Sequence, residues 1–312
     1  MIVKSRVESL ELQILRMLNA RMNLSPKDYS NYLYLEKGYE GEVIFDRWME
    51  EVEKGYLVVN DLLLEYGNTK FQIDSLFISK IIHLFEVKNF EGDYFTEGDR
   101  WYTNNGVEIK NPLQQMERAE SLLRRMVRDL GFNMNIESTL VFVNPNFYLY
   151  QAPRHLPIIF PNQIPRLQKN LQKQTAPIKN THNNLAERLL SLHTLDSPYK
   201  RLPEYSYESL KKGIACSHCH TVNTIVTRKT LICTSCGKRE NIHEAVLRSV
   251  RELQLLFLGE ALTLSKIYEW SKSIKTKKAI RNILLDDFTL SGRGRGAHYT
   301  IKEKKEGYLL IE

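Results

Sequence analysis

The sequence lacks the long apolar runs that a membrane-spanning protein needs. No stretch of its 312 residues approaches the roughly 20 consecutive apolar residues of a transmembrane helix. Its first stretch, MIVKSRVESLELQILRMLNAR, alternates charged with apolar residues and has no continuous apolar core of the kind found in signal peptides. No internal repeat at the period of solenoids or propellers is present either. We therefore expect a cytoplasmic globular protein with two or three domains and no membrane association.

Cysteine is scarce, and its few positions follow a metal-binding pattern. The four residues Cys216, Cys219, Cys233 and Cys236 form two Cys-x-x-Cys pairs. Disulfides are rare in the cytoplasm, and four thiolates at this spacing can bind one Zn²⁺ tetrahedrally. The segment resembles a zinc ribbon, which implies a structural role. The alternatives are a redox-active cysteine pair, although the βαβ setting of such pairs is absent, or a histidine as fourth ligand. The candidate histidines are His218, His220 and His243.

Acidic residues are also scarce in the last third of the chain. Residues 211–312 contain 19 Lys and Arg against 10 Asp and Glu, whereas the whole chain carries a formal net charge of +7. The positive excess therefore belongs to this C-terminal part. Such an asymmetry is typical of a nucleic-acid-binding surface, although a basic face that is merely solvated produces it as well.

Hydrophobic periodicity predicts an α/β unit with a mixed sheet in the first half of the chain. We expect an amphipathic helix over residues 5–22, a second helix after SPKDYS, and a third over GYEGEVIFDRWMEEVEKG that stops at Gly55. Several strands follow. Pro112 then opens a long helix that ends at Gly131, before a buried strand in MNIESTLVFVNPN. From Gln151 to Lys179 the composition indicates an extension or linker, and THNNLAERLLSLHTLD predicts another helix.

The segment FQIDSLFISKIIHLFEVKNFEG predicts a β-hairpin with charges inside its strands. If the turn centres on Lys80, Asp74 lies opposite Glu86, and the two carboxylates repel each other unless a cation sits between them. Hard divalent ions such as Mg²⁺ or Mn²⁺ prefer carboxylate oxygens. Lys88 then points at the metal-bound water or at an anionic substrate. The simpler interpretation makes Glu86 and Lys88 a solvated pair at a sheet edge and Asp74 a residue on the turn side.

The same segment and its flanks resemble the nuclease-related domain, NERD, of the PD-(D/E)xK nuclease superfamily. The matching features are GYEGE before a helix, QIDSLFIS, LFEVKNFEG, Trp101 in the next hairpin, and NPLQQ at the start of a helix. They occur in order across residues 38–144, which makes them far more specific than the Glu-x-Lys triplet alone. Ile73 stands where the superfamily often has proline, but the NERD pattern itself has an apolar residue there.

The resemblance implies a role for each of five residues. Asp74 and Glu86 would bind Mg²⁺ or Mn²⁺, and Lys88 would orient or activate the attacking water. Glu42 would add a carboxylate from a helix. Gln115 would supply a polar group from the helix that closes the site, with Gln114 as the alternative because only one of the two can face it.

The basic C-terminal part predicts a helix, a turn, a second helix and a β-hairpin, with Thr263 and Thr276 as helix caps. This order resembles a winged helix-turn-helix. The resemblance implies DNA contacts by the second helix and by the arginines of the wing. The predicted DNA-binding residues are Lys275, Lys277, Lys278, Arg281, Arg293 and Arg295. A winged helix that only contacts protein is the alternative.

Taken with the resemblances, the sequence predicts a metal-dependent nuclease that hydrolyses phosphodiester bonds of DNA. We expect a NERD-type domain with N-terminal helices at residues 1–150 and a restriction-endonuclease-like core. A linker and helical extension at 151–210, a zinc ribbon at 211–243 and a winged helix at 244–312 would follow. The alternatives are a DNA-binding regulator or scaffold that has lost catalysis, since fold does not determine function, and a nuclease acting on RNA.

Overall fold

The computed structural model describes residues 1–194, 202–272 and 275–302, without the side chains of Glu53 and Arg295. The chain divides into two compact units, Met1–Glu8 with Leu33–Ser197, and Ser9–Tyr32 with Pro198–Glu312. The helices of the described residues are α1 (Leu10–Arg21), α2 (Pro26–Met49), α3 (Pro112–Asp129), α4 (Ile164–Gln174), α5 (Asn180–Ser191), α6 (Ile242–Leu256), α7 (Leu264–Trp270) and α8 (Lys277–Asp287). None of them is both long enough and apolar enough to cross a membrane.

The strands of the described residues form four sheets. They are β1 (Ile2–Lys4), β2 (Leu57–Tyr66), β3 (Thr69–Ile78), β4 (Ile82–Lys88), β5 (Gly92–Glu97), β6 (Arg100–Thr103), β7 (Glu108–Ile109), β8 (Ile136–Phe142), β9 (Phe147–Tyr150), β10 (Ile158–Ile159), β11 (Thr224–Val226), β12 (Thr230–Cys233), β13 (Arg239–Asn241), β14 (Phe288–Ser291) and β15 (His298–Ile301).

The first unit is built on a six-stranded mixed sheet with the order β1-β2-β3-β4-β8-β10. The pairs β2–β3 and β3–β4 are antiparallel, whereas the pairs β1–β2, β4–β8 and β8–β10 are parallel. A smaller sheet has the order β7-β6-β5-β9 and buries Trp101. The mixed α/β architecture predicted for this part of the chain is confirmed.

Each face of the central sheet buries a separate set of apolar side chains. On one face, Leu76 and Leu84 belong to the same core as Leu113 and Met116 of α3. On the other face, Phe77 and Phe85 pack with Phe45 of α2, and the Phe45 and Phe85 ring centroids are 5.2 Å apart. The sheet is thus packed between helices on both sides.

The N-terminal region differs from the prediction in two ways. Residues 2–4 form a strand, and the predicted helix over 5–22 begins only at Leu10, because the Ser9 hydroxyl accepts a hydrogen bond from the Leu12 N–H and caps it. The second and third predicted helices are one continuous helix, α2, which ends at Met49 rather than at Gly55. Gly41 is needed within α2, since a Cβ there would lie 2.6 Å from Cβ of Asn89.

The segment interpreted as a linker contributes to the first unit. It supplies β10, which pairs with β8 in the central sheet, and α4, whose Ile164 and Leu171 are buried in the core on the α2 side. The first unit therefore continues to Ser197, and it does not contain Ser9–Tyr32. The sequence did not indicate that this segment belongs to the first unit. Its apolar stretches are short and lie between Pro and Gln residues, and a two-residue strand has almost no sequence signal.

The second unit contains the three-stranded sheet β11-β12-β13, the helices α6, α7 and α8, and the β14–β15 hairpin. The predicted order of two helices and a hairpin is confirmed. So are the caps: Thr263 accepts a hydrogen bond from the Lys266 N–H, and Thr276 accepts one from the Ala279 N–H. Trp270 and Ile280 are fully buried in the core of this unit.

A buried ion pair in the second unit has no counterpart in the sequence prediction. Arg21 of α1 donates two hydrogen bonds to the carboxylate of Glu252 in α6, both at 2.8 Å. Its guanidinium also donates to the carbonyls of Lys211 and Gly213 and lies 3.9 Å from the centroid of the Trp270 ring. The side chain of Arg21 is 0% exposed, so these contacts replace the hydrogen bonds that it would make with water.

The buried imidazole of His83 makes the stability of the first unit depend on pH. His83 lies between the rings of Tyr56 and Phe85, and burial lowers its pKa from 6.5 to about 4. The unfolded chain therefore binds a proton between these values that the folded chain does not. His83 alone should lower the free energy of unfolding by at most about 3 kcal/mol as the pH drops from about 6.5 to 4.

Urea unfolding at several pH values tests this expectation. His83→Phe should shift the slope between pH 4 and 6.5 by up to one bound proton, towards greater stability at low pH than in the wild type, because phenylalanine suits the aromatic surroundings and does not titrate. The matched substitution His155→Phe, at an exposed histidine, should leave the slope as it is. An unchanged slope in His83→Phe would assign the pH dependence to other groups.

Candidate active site and metal centres

The β3–β4 hairpin has the register that the sequence predicted. Ser75 pairs with Phe85 and Leu76 with Leu84, so that the same register sets Asp74 against Glu86. The paired ladder ends at Ser75. Beyond it, the carboxylate of Asp74 accepts a hydrogen bond of 2.8 Å from the Val87 N–H. Asp74 is therefore fixed beside the backbone of β4, next to Glu86.

Glu86 is a buried carboxylate with almost no protein partners. Its side chain is 1% exposed, and the ammonium of Lys88 lies 2.7 Å from its Oε1 as an ion pair. Oε2 has no hydrogen-bond partner. Burying a carboxylate oxygen without a hydrogen bond is costly. Such an unsatisfied group indicates a ligand position.

Glu42, Glu86 and Lys88 all interact electrostatically with Asp74. Burial, reinforced by the negative charge of Asp74, raises the pKa of Glu86 above its usual range. The same two causes raise the pKa of Glu42, although the Arg6 guanidinium opposes them. Burial disfavours the ammonium form of Lys88, but the nearby carboxylates outweigh it and raise its pKa. Lys88 is thus a cation at neutral pH, suited to orient water or stabilise negative charge rather than to remove a proton.

The helix residues of the predicted site lie on two sides of this cluster. The Lys88 ammonium donates a hydrogen bond of 3.4 Å to the Gln115 side chain, whereas Gln114 is exposed. Gln115 is therefore the glutamine that faces the site. Asn111 caps α3 by accepting from the Leu113 N–H, and Pro112 occupies its first turn, which places Gln115 at a fixed position. Glu42 of α2 is bound to Arg6 at 2.6 Å.

Three residues of this cluster were missed by the sequence analysis. Asp61 of β2 lies opposite Asp74 in the register, and Asp46 of α2 and Arg6 complete a network of ion pairs. At Asp61 the backbone has φ +52°, and the side-chain alternation of β2 shifts, so that both Val59 and Leu62 face the same core. The sequence contains one signal of this irregularity, because Asn60 and Asp61 interrupt the apolar run of β2. Nothing local marks Arg6.

The acidic side chains around Asp74 are only partly arranged to bind a divalent cation. Among the described residues, the four cysteines alone form a group of three or more metal-ligating side chains whose ligand atoms all lie within 4.8 Å. The carboxylates of Glu42, Asp74 and Glu86 do not converge to this extent, since Glu42 is directed to Arg6. Asp74 and Glu86 remain suitable because Oε2 of Glu86 lacks a hydrogen-bond partner and hard cations prefer carboxylate ligands.

The four cysteines converge as a tetrathiolate site. Sγ of Cys216 lies 3.6 Å from that of Cys236, and Sγ of Cys219 lies 3.5 Å from that of Cys233. Tetrahedral Zn–S bonds of about 2.3 Å require sulfur separations of about 3.8 Å, close to these values. The residue after each pair adopts the left-handed backbone conformation, namely His220 (φ +57°) and Gly237 (φ +74°), so the two turns are alike.

The alternative histidine ligands do not belong to this group. The ligand atoms that converge are sulfurs of the four cysteines. Nε2 of His243 instead lies 2.6 Å from a carboxylate oxygen of Asp286, and the His218 side chain is exposed. A metal held here would thus have four sulfur ligands and no open position, which is typical of structural zinc sites.

The predicted DNA-binding residues have different environments in the second unit. Lys277, Lys278, Arg281 and Arg293 are exposed. Lys275 is half-buried, and its ammonium donates a hydrogen bond of 3.0 Å to the carbonyl of Arg228, in the turn between β11 and β12. The side chain of Arg295 lies outside the described part of the chain.

The fold and the cluster around Asp74 define a mixed α/β domain with a buried, lysine-containing acidic site. Residues 37–143 match the family model described as nuclease-related domain, NERD. The matched segment contains Glu42, Asp74, Glu86, Lys88 and Gln115, and it confirms the predicted nuclease-related domain for this part of the chain. No curated protein and no solved structure matches the sequence.

Proposed function

We propose that this protein is a metal-dependent nuclease that hydrolyses phosphodiester bonds of DNA. The observation that carries the proposal is Glu86, a buried carboxylate that interacts with Asp74 and is paired with the Lys88 ammonium at Oε1, while its Oε2 has no hydrogen-bond partner. Its position within a segment that matches a nuclease-related domain supports the same chemistry.

Each residue has a role that follows from its contacts. Asp74 and Glu86 would hold Mg²⁺ or Mn²⁺, which would polarise a phosphate and lower the pKa of bound water. Lys88 would orient the attacking water and stabilise the negative charge that develops on the phosphate oxygens. Gln115 positions the Lys88 ammonium by accepting its hydrogen bond. Glu42 would act on the opposite side of Asp74, where its charge is balanced by Arg6.

The second unit would bring the substrate to this site. We propose a zinc ribbon held by Cys216, Cys219, Cys233 and Cys236, followed by a winged helix formed by α6–α8 and the β14–β15 hairpin. The exposed residues Lys277, Lys278, Arg281 and Arg293 would contact DNA phosphates or bases. Lys275 is better explained as a link to the β11–β12 turn than as a phosphate contact, because its ammonium already binds the Arg228 carbonyl.

A second candidate is a DNA-binding protein that does not cleave. The ion pairs Lys88–Glu86 and Arg6–Glu42 favour it, because they satisfy part of the acidic site without a metal ion. Purified protein with Mg²⁺ or Mn²⁺, assayed on linear, nicked, single-stranded and supercoiled DNA, separates the two candidates. DNA binding without cleavage would favour the second, and competition with labelled RNA would show whether RNA is the substrate.

The decisive variants are Asp74→Ala and Lys88→Ala, with Lys80→Ala as the matched control. We expect each of the first two to lower the cleavage rate by about 10²–10³-fold, the usual cost of losing one group that stabilises the transition state. Lys80 is exposed at the turn of the same hairpin, so Lys80→Ala should retain the wild-type rate. Cleavage that survives both active-site substitutions would come from a contaminating nuclease.

A further inference from the structure

The side chain of Arg6 donates five hydrogen bonds near the candidate active site. Its guanidinium donates to both carboxylate oxygens of Asp46 (2.7 and 2.9 Å), to Glu42 (2.6 Å) and to Asp61 (2.7 Å). A further hydrogen bond of 3.1 Å goes to the backbone carbonyl of Asp74. The Arg6 side chain is 4% exposed. It therefore connects α2, β2 and β3 at the place where the proposed metal ligand Asp74 is held.

The surroundings fix Arg6 rather than leaving it to fluctuate. The parallel pairing of β1 with β2 brings it beside Asp61. Asp61, with its left-handed backbone, accepts a second hydrogen bond from the Val7 N–H, and the Lys4 ammonium donates to the Asp61 carbonyl. A planar guanidinium with bidentate contacts holds its geometry better than an ammonium would.

Arg6 neutralises only part of the cluster around Asp74. It forms ion pairs with Glu42, Asp46 and Asp61. Glu86 interacts instead with Lys88 and Lys110, and it lies on the side of Asp74 away from Arg6 in the sheet order. Because Oε2 of Glu86 has no hydrogen-bond partner, the region beside Asp74 and Glu86 is the one in which a further cation fits.

We propose that Arg6 is a built-in cation of the candidate active site, which positions Glu42 and Asp74 and leaves one divalent-cation position, at Asp74 and Glu86. The inference rests on the proposed function but concerns a residue outside the segment that matches the nuclease-related domain. Arg6 supplies the positive charge that Glu42, Asp46 and Asp61 share, so that these carboxylates need no metal ion as counter-ion. It is a positioning residue, since its contacts are with carboxylates and a carbonyl of the protein.

Metal stoichiometry tests this role independently of catalysis. Mn²⁺ binding is measured on the zinc-loaded full chain by electron paramagnetic resonance of free Mn²⁺. We expect about one Mn²⁺ for the wild type and about two for Arg6→Met, because three carboxylates lose their counter-ion. Arg6→Lys keeps a positive charge and should still bind about one. In the cleavage assay, Arg6→Met should lower kcat about tenfold or more, with KM for DNA nearly unchanged.

Arg128→Met, at an exposed arginine of α3, is the matched control and should leave both readouts unchanged. A folded Arg6→Met that still binds one Mn²⁺ with the wild-type affinity overturns the proposal. So does a failure of both Arg6→Met and Arg6→Lys to fold, since Arg6 would then be structural only. If the wild type binds one Mn²⁺ but does not cleave DNA, the nuclease proposal fails while the role of Arg6 stands. If it binds none, the cation position itself is wrong.

Discussion

Replacing Cys233 with serine should release about one zinc ion per chain and unfold the β11-β12-β13 sheet. The sulfur of Cys233 lies at one corner of the tetrathiolate group and is buried, so no solvent ligand can easily replace it. In small zinc domains the metal contributes on the order of 10 kcal/mol to folding, which is more than so small a sheet gains from packing. Metal analysis measures the zinc, and hydrogen exchange of the β11–β13 amides measures the unfolding.

The controls for this experiment distinguish ligand from neighbour. Cys216→Ser should behave like Cys233→Ser, because the two Cys-x-x-Cys turns contribute equally. His218→Gln should retain the zinc, since this side chain is exposed and outside the group of sulfurs. Zinc retained by both serine variants, or lost from His218→Gln, would contradict a site made of four cysteines.

The second large effect is expected from Glu252→Gln, which leaves the buried guanidinium of Arg21 without its counter-ion. Arg21 cannot lose its proton, so the uncompensated charge remains in the core of the second unit. Breaking a buried ion pair in this way typically costs about 3–5 kcal/mol of unfolding free energy. Hydrogen exchange of the α6 amides reports the opening of this helix directly and is therefore the measurement of choice.

Two further variants show whether the isolated charge is the cause. Glu244→Gln removes an exposed carboxylate from the same helix and should change the opening free energy by less than about 1 kcal/mol. The double variant Arg21→Met/Glu252→Met removes both charges and should recover much of the loss, because no unpaired ion is left in the core. A double variant as unstable as Glu252→Gln would mean that the pair stabilises the unit through its other hydrogen bonds.

Local signals in the sequence predicted much of this structure. The turn around Lys80 set the β3–β4 register, Pro112 with Asn111 fixed the start of α3, and the cysteine spacing identified the sulfur group. Each of these features depends on residues close together in the sequence. The same reasoning divided α2 into two helices, because glycines and turn-forming residues near its middle outweighed a helical pattern that tertiary packing completes.

Contacts between distant segments were not accessible in this way. Arg6 meets Asp61 only because β1 pairs with β2, and Arg21 meets Glu252 across 231 residues of sequence. The change in side-chain alternation at Asp61 depends on a left-handed backbone conformation. No glycine stands at this position to indicate that conformation in the sequence. The candidate site was therefore predicted where the hairpin alone defines it, at Asp74, Glu86 and Lys88, and was incomplete on the side where β2 and the N-terminal strand contribute.

The central claim is that Asp74 and Glu86 together bind a divalent cation. A crystal grown or soaked with Mn²⁺ tests it most directly, because Mn²⁺ gives an anomalous difference peak that locates the ion. The account predicts a peak within about 2–2.5 Å of oxygens from both carboxylates. A crystal in which Mn²⁺ is present but this position is empty, with Glu86 paired only with Lys88, would contradict it.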